Sequence, residues 1–474
     1  MRQTAELFLT ERQKLYAYFA DRLETANYLN RKIVSFQGNK IEPVYRWFKY
    51  KEGFSASLVK YFLSEYSEKP GKLLDPFAGT GTALFAGQEL GWQSYGIEIL
   101  PVGIFVINAR QALNDVDIKK LKAVINKIQS AITSNKKYSC HINHIPITKD
   151  AFSEETESLL NKYLDYCSRI EDKNIQTILR FAAFAVLEDV SYTRKDGQYL
   201  RWDYRSGREL SGKPFDKGRI QKFSDAIKSK LDEIMHDLST EKPLSLFDEA
   251  GDNNKAKYPV TIFEGSSLDK LPLMEDKYFD FIITSPPYCN RYDYTRTYAL
   301  ELVYLGLDND QVRNLRQSML SCTVENKEKI DILESFYKSL NRSEIFQNVI
   351  EVYNKSAAMS EVNSALDVLN KMGKLNNNNI PRMVKNYFLE LCFVIYEMSR
   401  VIKNQGHSLM VNDNVRYGGE EIPVDLILSE FAEKFGFNVK NIYVLPRGKG
   451  NSSQQMGNYG RTEIRKCVYV WQKN

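Results

Sequence analysis

Residues 73–99, LLDPFAGTGTALFAGQELGWQSYGIEI, constrain the fold more than any other stretch of the chain. An apolar strand ends at Asp75, a glycine-rich turn carries Gly79 and Gly81, a helix begins near Thr82, and a second strand ends at Glu98. Strand, tight turn, helix and strand in that order require two parallel strands with the helix crossing between them. Glycine lets such a turn bend sharply and lets the backbone approach a ligand, and doubly wound sheets bind ligands at the carboxyl ends of their strands. The turn departs from two nucleotide-binding patterns. A dinucleotide fingerprint needs a third glycine where this chain has Leu84, and a phosphate loop needs Gly-Lys-Ser/Thr, which is absent. A nucleoside without phosphates fits better. S-adenosylmethionine has an adenosine and a cationic methionine tail; Asp75 suits the tail, and Glu98, 17 residues beyond Gly81, is placed to accept from two ribose hydroxyls.

The rest of the chain continues the alternation. Strand-like runs recur at Lys72–Leu74, Ser94–Ile97, Val260–Phe263, Phe279–Ile283, His407–Val411, Val439–Val444 and Cys467–Trp471. Helical spacing marks Thr82–Leu90 and Asn386–Ile402. The expected class is α/β, a Rossmann-like, mainly parallel seven-stranded sheet. No helix separates the last two strands, so they form an antiparallel hairpin at the sheet edge. The expected layout has a helical lead (1–44), a first core part with the cofactor site (45–113), and a helix-rich insertion (114–257). A second core part (258–307), a second helical insertion (308–380) and a final core part (381–474) with a basic loop at 446–461 follow.

The strand Phe279–Ile283 runs into Thr284-Ser285-Pro286-Pro287-Tyr288. Two prolines stiffen the turn and offer no N–H, so the Pro286 carbonyl projects as an acceptor beside the Ser285 hydroxyl, with the Tyr288 ring next to them. An amino group conjugated to a base is a poor nucleophile because its lone pair is delocalised into the ring. Two acceptors gripping its hydrogens favour a pyramidal nitrogen whose lone pair can reach a methyl sulfonium, while Tyr288 stacks on the base.

TSPPY and DPFAGTGT together resemble the motifs of the DNA amino-methyltransferases, which modify N4 of cytosine or N6 of adenine. The upstream YRWFKYKEGFSASLVKYFL resembles the segment preceding the cofactor motif in members whose cofactor half comes first. The resemblance covers about residues 45–108 and 260–306, with the closing strands matching loosely. It implies that Ser285, Pro286, Pro287 and Tyr288 are catalytic. It also implies that Phe54 and Ser55 touch the methionine end of the cofactor, that Asp75, Phe77, Gly79, Gly81, Thr82 and Glu98 complete its site, and that the target base is flipped out of the duplex. Where many relatives have an acidic residue near the adenine, this chain has Gly265-Ser266-Ser267, and Ser266 or Ser267 is the substitute. Serine at the first position of the reactive motif is commoner among cytosine-N4 enzymes, which favours that base over adenine N6. Methylation at cytosine C5 needs a cysteine nucleophile, typically after proline, and no proline here precedes cysteine. An RNA amino-methyltransferase, or a silent cofactor-fold protein that binds nucleic acid, would be alternatives; the second predicts a broken motif, and both motifs are intact.

Charge points the same way. The net charge is +5, yet residues 191–230 carry 11 basic and 5 acidic residues, and residues 440–466 carry 6 and 1. Concentrated positive charge suits a polyanion. The run SYTRKDGQYLRWDYRSGR interleaves aromatics with cations, making Arg194, Lys195, Arg201 and Arg205 the candidate DNA contacts; Arg447 and Lys449 in the later loop are phosphate contacts. Double-stranded DNA is the expected partner, alongside a separately encoded restriction endonuclease. No Pro-Asp dipeptide occurs to begin the common nuclease motif. Cys140, His141 and His144 lack a fourth ligand nearby, so no metal is expected. Six scattered cysteines without a Cys-x-x-Cys, an opening MRQTAELFLTERQK unlike a signal peptide, and no apolar run of about 20 residues lead to an expected cytoplasmic location.

Overall fold

The computed structural model describes residues 9–30, 32–133, 138–196, 199–209, 213–240, 258–446 and 464–474. Its strands, in chain order, are β1 (Leu23–Thr25), β2 (Lys72–Asp75), β3 (Gln93–Glu98), β4 (Thr193–Asp196), β5 (Tyr199–Trp202) and β6 (Val260–Glu264). They continue with β7 (Phe279–Thr284), β8 (Ile402–Asp413), β9 (Val415–Tyr417), β10 (Glu420–Ile422), β11 (Phe437–Val444) and β12 (Lys466–Lys473). Eight of them form one sheet in the order β1-β11-β12-β8-β7-β2-β3-β6. From β8 to β6 every neighbouring pair is parallel, whereas β12 is antiparallel to both β8 and β11. The seven strands read from the sequence are all present.

The eighth strand, β1, stands in the segment expected as a helical lead. A capping box between Thr10 and Gln13 starts a helix over Glu11–Phe19, and β1 then pairs in parallel with β11, Leu23 opposite Ile442. The closing hairpin is therefore covered by β1 instead of forming a bare edge. Three residues are too few to show the alternation that betrays a strand.

Adjacent residues of the central strands serve opposite faces. Leu73, Phe281, Ile283, Leu409 and Val411 pack with Leu58, Val59 and Phe62 of the Ala56–Tyr66 helix and with Ala83 and Ala86 of the Thr82–Glu89 helix. Leu74, Ile282 and Met410 face the other way, toward the Pro101–Gln111, Ile380–Val401 and Val424–Lys434 helices. Both faces of a largely parallel sheet are thus covered by helices.

The segments outside the alternation are mainly helical. Residues 114–257 contribute helices that include Glu154–Ser168, Lys173–Val190 and Phe223–Thr240, plus the β4–β5 hairpin. They pack tightly on the core: Phe184 stacks on Phe48 with ring centroids 5.1 Å apart, and Trp47 Nε1 donates to Asp237 at 2.7 Å. Helices Asn309–Ser318, Ile330–Ser339, Ser343–Lys355 and Ala357–Lys371 make up the later segment. Among the described residues no helix is long and apolar enough to cross a membrane.

Candidate active site

The carboxyl ends of β7, β2, β3 and β6 lie side by side in that order and form the floor of a cleft of about 720 Å³, open to solvent. The turn after β2 needs its glycines. Gly79 and Gly81 have φ of +54° and +76°, and Gly81 stands at the N-cap of the Thr82–Glu89 helix. A Cβ on Gly103 would collide with the Gly79 carbonyl oxygen, so the helix after β3 also depends on a bare glycine to reach the turn.

Both strand-end acids are drawn into this turn. Glu98 accepts from the Gly79 N–H through one oxygen and from the Leu100 N–H through the other, each at 2.6 Å. Asp75 accepts from the Phe77 N–H at 3.0 Å and from the Thr284 hydroxyl at 2.6 Å. The second bond matters most, because Thr284 opens the reactive turn: one hydrogen bond joins the β2 corner to the β7 corner. Burial lifts the carboxyls of Asp75 and Glu98 to about 7 against the pull of these donors, and the neighbouring Asp75 raises Glu98 further.

Phe54, Asp75, Phe77, Gly79, Thr82, Glu98, Ser266, Ser285 and Pro287 all line the cleft. Three carboxylates are in its wall, those of Asp75, Glu98 and Glu52, and among the described lining residues there is no lysine, arginine or histidine. Such a lining repels a polyphosphate and suits a ligand with hydroxyls and a positive charge. The chemistry of the donor set therefore fits the nucleoside and the cationic tail of S-adenosylmethionine.

No protein-family model matches the chain, and no solved structure matches it. Curated relatives do. The type II methyltransferase M.AvaI of Nostoc sp. is 46% identical over 464 residues, covering 96% of this chain and 92% of that protein. M.BsoBI of Geobacillus stearothermophilus is 39% identical over 476 residues (97% and 91%), and M.MvaI of Kocuria varians is 22% identical over 453 residues (91% of each). The chain belongs to the type II DNA methyltransferases. It is a member of the S-adenosylmethionine-dependent DNA amino-methyltransferase family, whose targets are N4 of cytosine or N6 of adenine.

Several residues of the methyltransferase stand elsewhere than expected. Ser55 does not reach the cleft: its buried hydroxyl caps the Ala56–Tyr66 helix, accepting from the Leu58 N–H at 3.2 Å and donating to the Ile33 carbonyl. Gly81 shapes the turn from behind the lining. Pro286 is buried, and Tyr288 is half-buried beside Ser285 and Asp413 without lining the cleft; burial and Asp413 raise its phenol. Ser266 caps the short Ser267–Lys270 helix by accepting from the Leu268 N–H at 3.3 Å, and Ser267 donates to the Pro76 carbonyl.

Lys195 is corrected most sharply. It is 4% exposed and ion-paired with Glu301, itself 1% exposed, so it cannot meet a phosphate. The residue alternates inward on β4 while its neighbour Arg194 alternates outward. Arg201 lies opposite Arg194, partly exposed, paired with Asp196 at 3.1 Å and stacked on Phe215. Arg205 grips Asp203 with two nitrogens and also bonds Asp216 and the Gly218 carbonyl. Lys217 binds backbone carbonyls, and Arg208 does so while lying over Trp202. Much of the basic run thus holds its own segment together. Arg447 and Lys449 lie outside the described residues. Cys140, His141 and His144 form no metal-ligating group among the described residues; His144 Nδ1 bonds the Thr148 hydroxyl at 3.1 Å. His407 is half-buried against Tyr66 and Phe281.

The structure also brings in residues that no motif marks. Tyr50, Glu52, Tyr294, Met319 and Leu320 line the cleft. Asn39 donates to the Phe54 carbonyl at 3.0 Å and to Thr82 Oγ1 at 3.4 Å, and accepts from the Ala56 N–H, stitching the leading segment to the glycine turn. Only the closeness of Tyr50 and Glu52 to Phe54 in the sequence hinted at any of them.

Proposed function

We propose that this methyltransferase modifies N4 of cytosine at a short site in double-stranded DNA, as the modification partner of a separately encoded restriction endonuclease. The observation that carries the reading is the Thr284–Asp75 hydrogen bond, which sets the serine-bearing turn against the acid-lined end of the glycine turn. Serine at the first motif position supports cytosine over adenine.

In this reading Glu98 holds the ribose hydroxyls through lone pairs left beyond its two backbone donors, and Gly265–Ser267 border the adenine. Phe54, Phe77 and Asp75, all in the cleft wall, would hold the tail. Bound S-adenosylmethionine supplies an electrophilic methyl group on a sulfonium. Ser285 and the Pro286 carbonyl would accept hydrogen bonds from the two amino hydrogens of the flipped base, leaving its nitrogen lone pair to face the methyl donor, and Tyr288 would stack on the ring. The rate gain comes from positioning and from dipoles fixed before the reaction.

Residues 114–257 serve as the target-recognition part, with Arg194 and Arg201 on the exposed side of the β4–β5 hairpin meeting phosphates. Arg205 supports that face, and Arg447 and Lys449 reach the DNA from the closing loop.

Incubating plasmid DNA and RNA with the protein and labelled cofactor, then mapping modified bases by polymerase-kinetics sequencing, tests this. N4-methylcytosine at one motif is expected. N6-methyladenine would overturn the choice of base, and label confined to RNA would overturn the choice of substrate.

A further inference from the structure

Glu52 lies in the segment that precedes the glycine turn, outside the reactive and cofactor turns, and stands in the cleft wall. Tyr298 donates its phenolic O–H to one oxygen of Glu52, and Tyr292 bonds the same carboxylate. Both tyrosines follow the reactive turn closely, which puts Glu52 at the β7 end of the row of strand ends. Along that row the nucleoside acid Glu98 lies on β3, and Asp75 on β2 separates it from the turn. An elongated ligand with its ribose at Glu98 directs its amino-acid tail toward Glu52.

Glu52 is held firmly. Tyr298 is fully buried, stacks on Tyr50 with ring centroids 5.3 Å apart, and has Lys195 Nζ 4.5 Å from its ring centre. Lys195 pairs with Glu301, and among the described residues Glu52 makes no ion pair of its own. Burial raises the Glu52 carboxyl, while the two tyrosines and then Lys195 and Lys51 pull it back toward the ionised form.

A carboxylate oriented by two O–H donors presents its remaining lone pairs directionally. That matches a group with several N–H donors better than a sulfonium, which has none. We propose that Glu52 binds the α-ammonium of the S-adenosylmethionine tail. The role rests on reading the cleft as the cofactor site.

Calorimetric titration of the full-length protein with S-adenosylmethionine, S-adenosylhomocysteine and 5′-methylthioadenosine, which lacks the amino-acid tail, tests it. Glu52→Gln should weaken the first two alike, by about tenfold, and leave the third unchanged. Tyr298→Phe keeps the ring and should give the same pattern at smaller size. Unchanged binding of all three overturns the role. A loss confined to S-adenosylmethionine assigns Glu52 to the sulfonium and overturns it too, and an equal loss of all three shows only a damaged pocket and also overturns it. Wild-type protein that binds none of the three sinks the cofactor reading itself.

Discussion

Ser285 lines the cleft, but its hydroxyl is no part of the turn's backbone scaffold, so chemistry and folding separate there. Ser285→Ala should bind S-adenosylmethionine as the parent does and lose about 10²- to 10³-fold in kcat, the usual loss for one preorganised hydrogen-bonding group. Single-turnover methylation against calorimetry checks this, and unchanged turnover would remove the hydroxyl from the mechanism. Asp75 and Glu98 give a pH prediction. Their carboxyls sit near 7, above the unfolded range, so the ligand-free fold holds protons that the unfolded chain has lost. Its stability should therefore fall as pH rises from the ordinary carboxylate range through 7. A cationic ligand favours the ionised acids, so its affinity should climb over the same window and its binding should release protons. Titrations in buffers of different ionisation enthalpy measure that release; a flat affinity from pH 6 to 8 would refute it. These acids were legible in the sequence because each ends a strand beside punctuation. Met319 and Leu320 were not, because only the packing of distant segments brings them to the cleft.

Between β4 and the Ala299–Tyr304 helix lies the Lys195–Glu301 pair, which shows where sequence patterning misleads. A cation among aromatics reads as a nucleic-acid contact, but the same composition also describes a hairpin pinned to its own core. Period-two alternation decides between the two: Thr193 and Lys195 point inward and Arg194 outward. Nothing in the local sequence fixes that phase, since Glu301 lies over a hundred residues away. Lys195→Ala should strand a buried carboxylate and cost about 3–5 kcal/mol, whereas Lys195→Met with Glu301→Leu should recover most of it. Urea unfolding of both variants distinguishes these; a single variant as stable as the parent would mean the pair is open to water. Arg194→Ala should leave the midpoint in place and lower the salt dependence of DNA binding by about one ion. If Lys195 variants alone changed that slope, the inward assignment would be wrong.

The parallel half of the sheet follows from its strand–turn–helix rhythm, which is why it was readable; the wrapping of the N-terminal segment was not, because it depends on contacts spanning nearly the whole chain. Arg12 reaches Glu361 at 2.8 Å and Glu420 at 3.0 Å, β1 covers β11, and the Ala26 N–H bonds the Val444 carbonyl at 3.0 Å. One short segment thereby ties the later helical segment, the β9–β10 hairpin and the sheet edge together. Removing residues 1–25 leaves Asn39 and the Ser55 cap in place, so the cofactor cleft should still bind S-adenosylmethionine. It also uncovers β11, whose unpaired N–H and C=O groups become a template for another chain. The truncated protein should melt at a lower temperature and associate as its concentration rises, an effect that thermal denaturation and light scattering across a dilution series will detect. A truncated chain that stays monomeric with an unchanged melting temperature would show that β1 is an ornament on a sheet already complete at seven strands. Loss of cofactor binding would instead mean that the wrap holds the cleft in shape from the far side of the sheet.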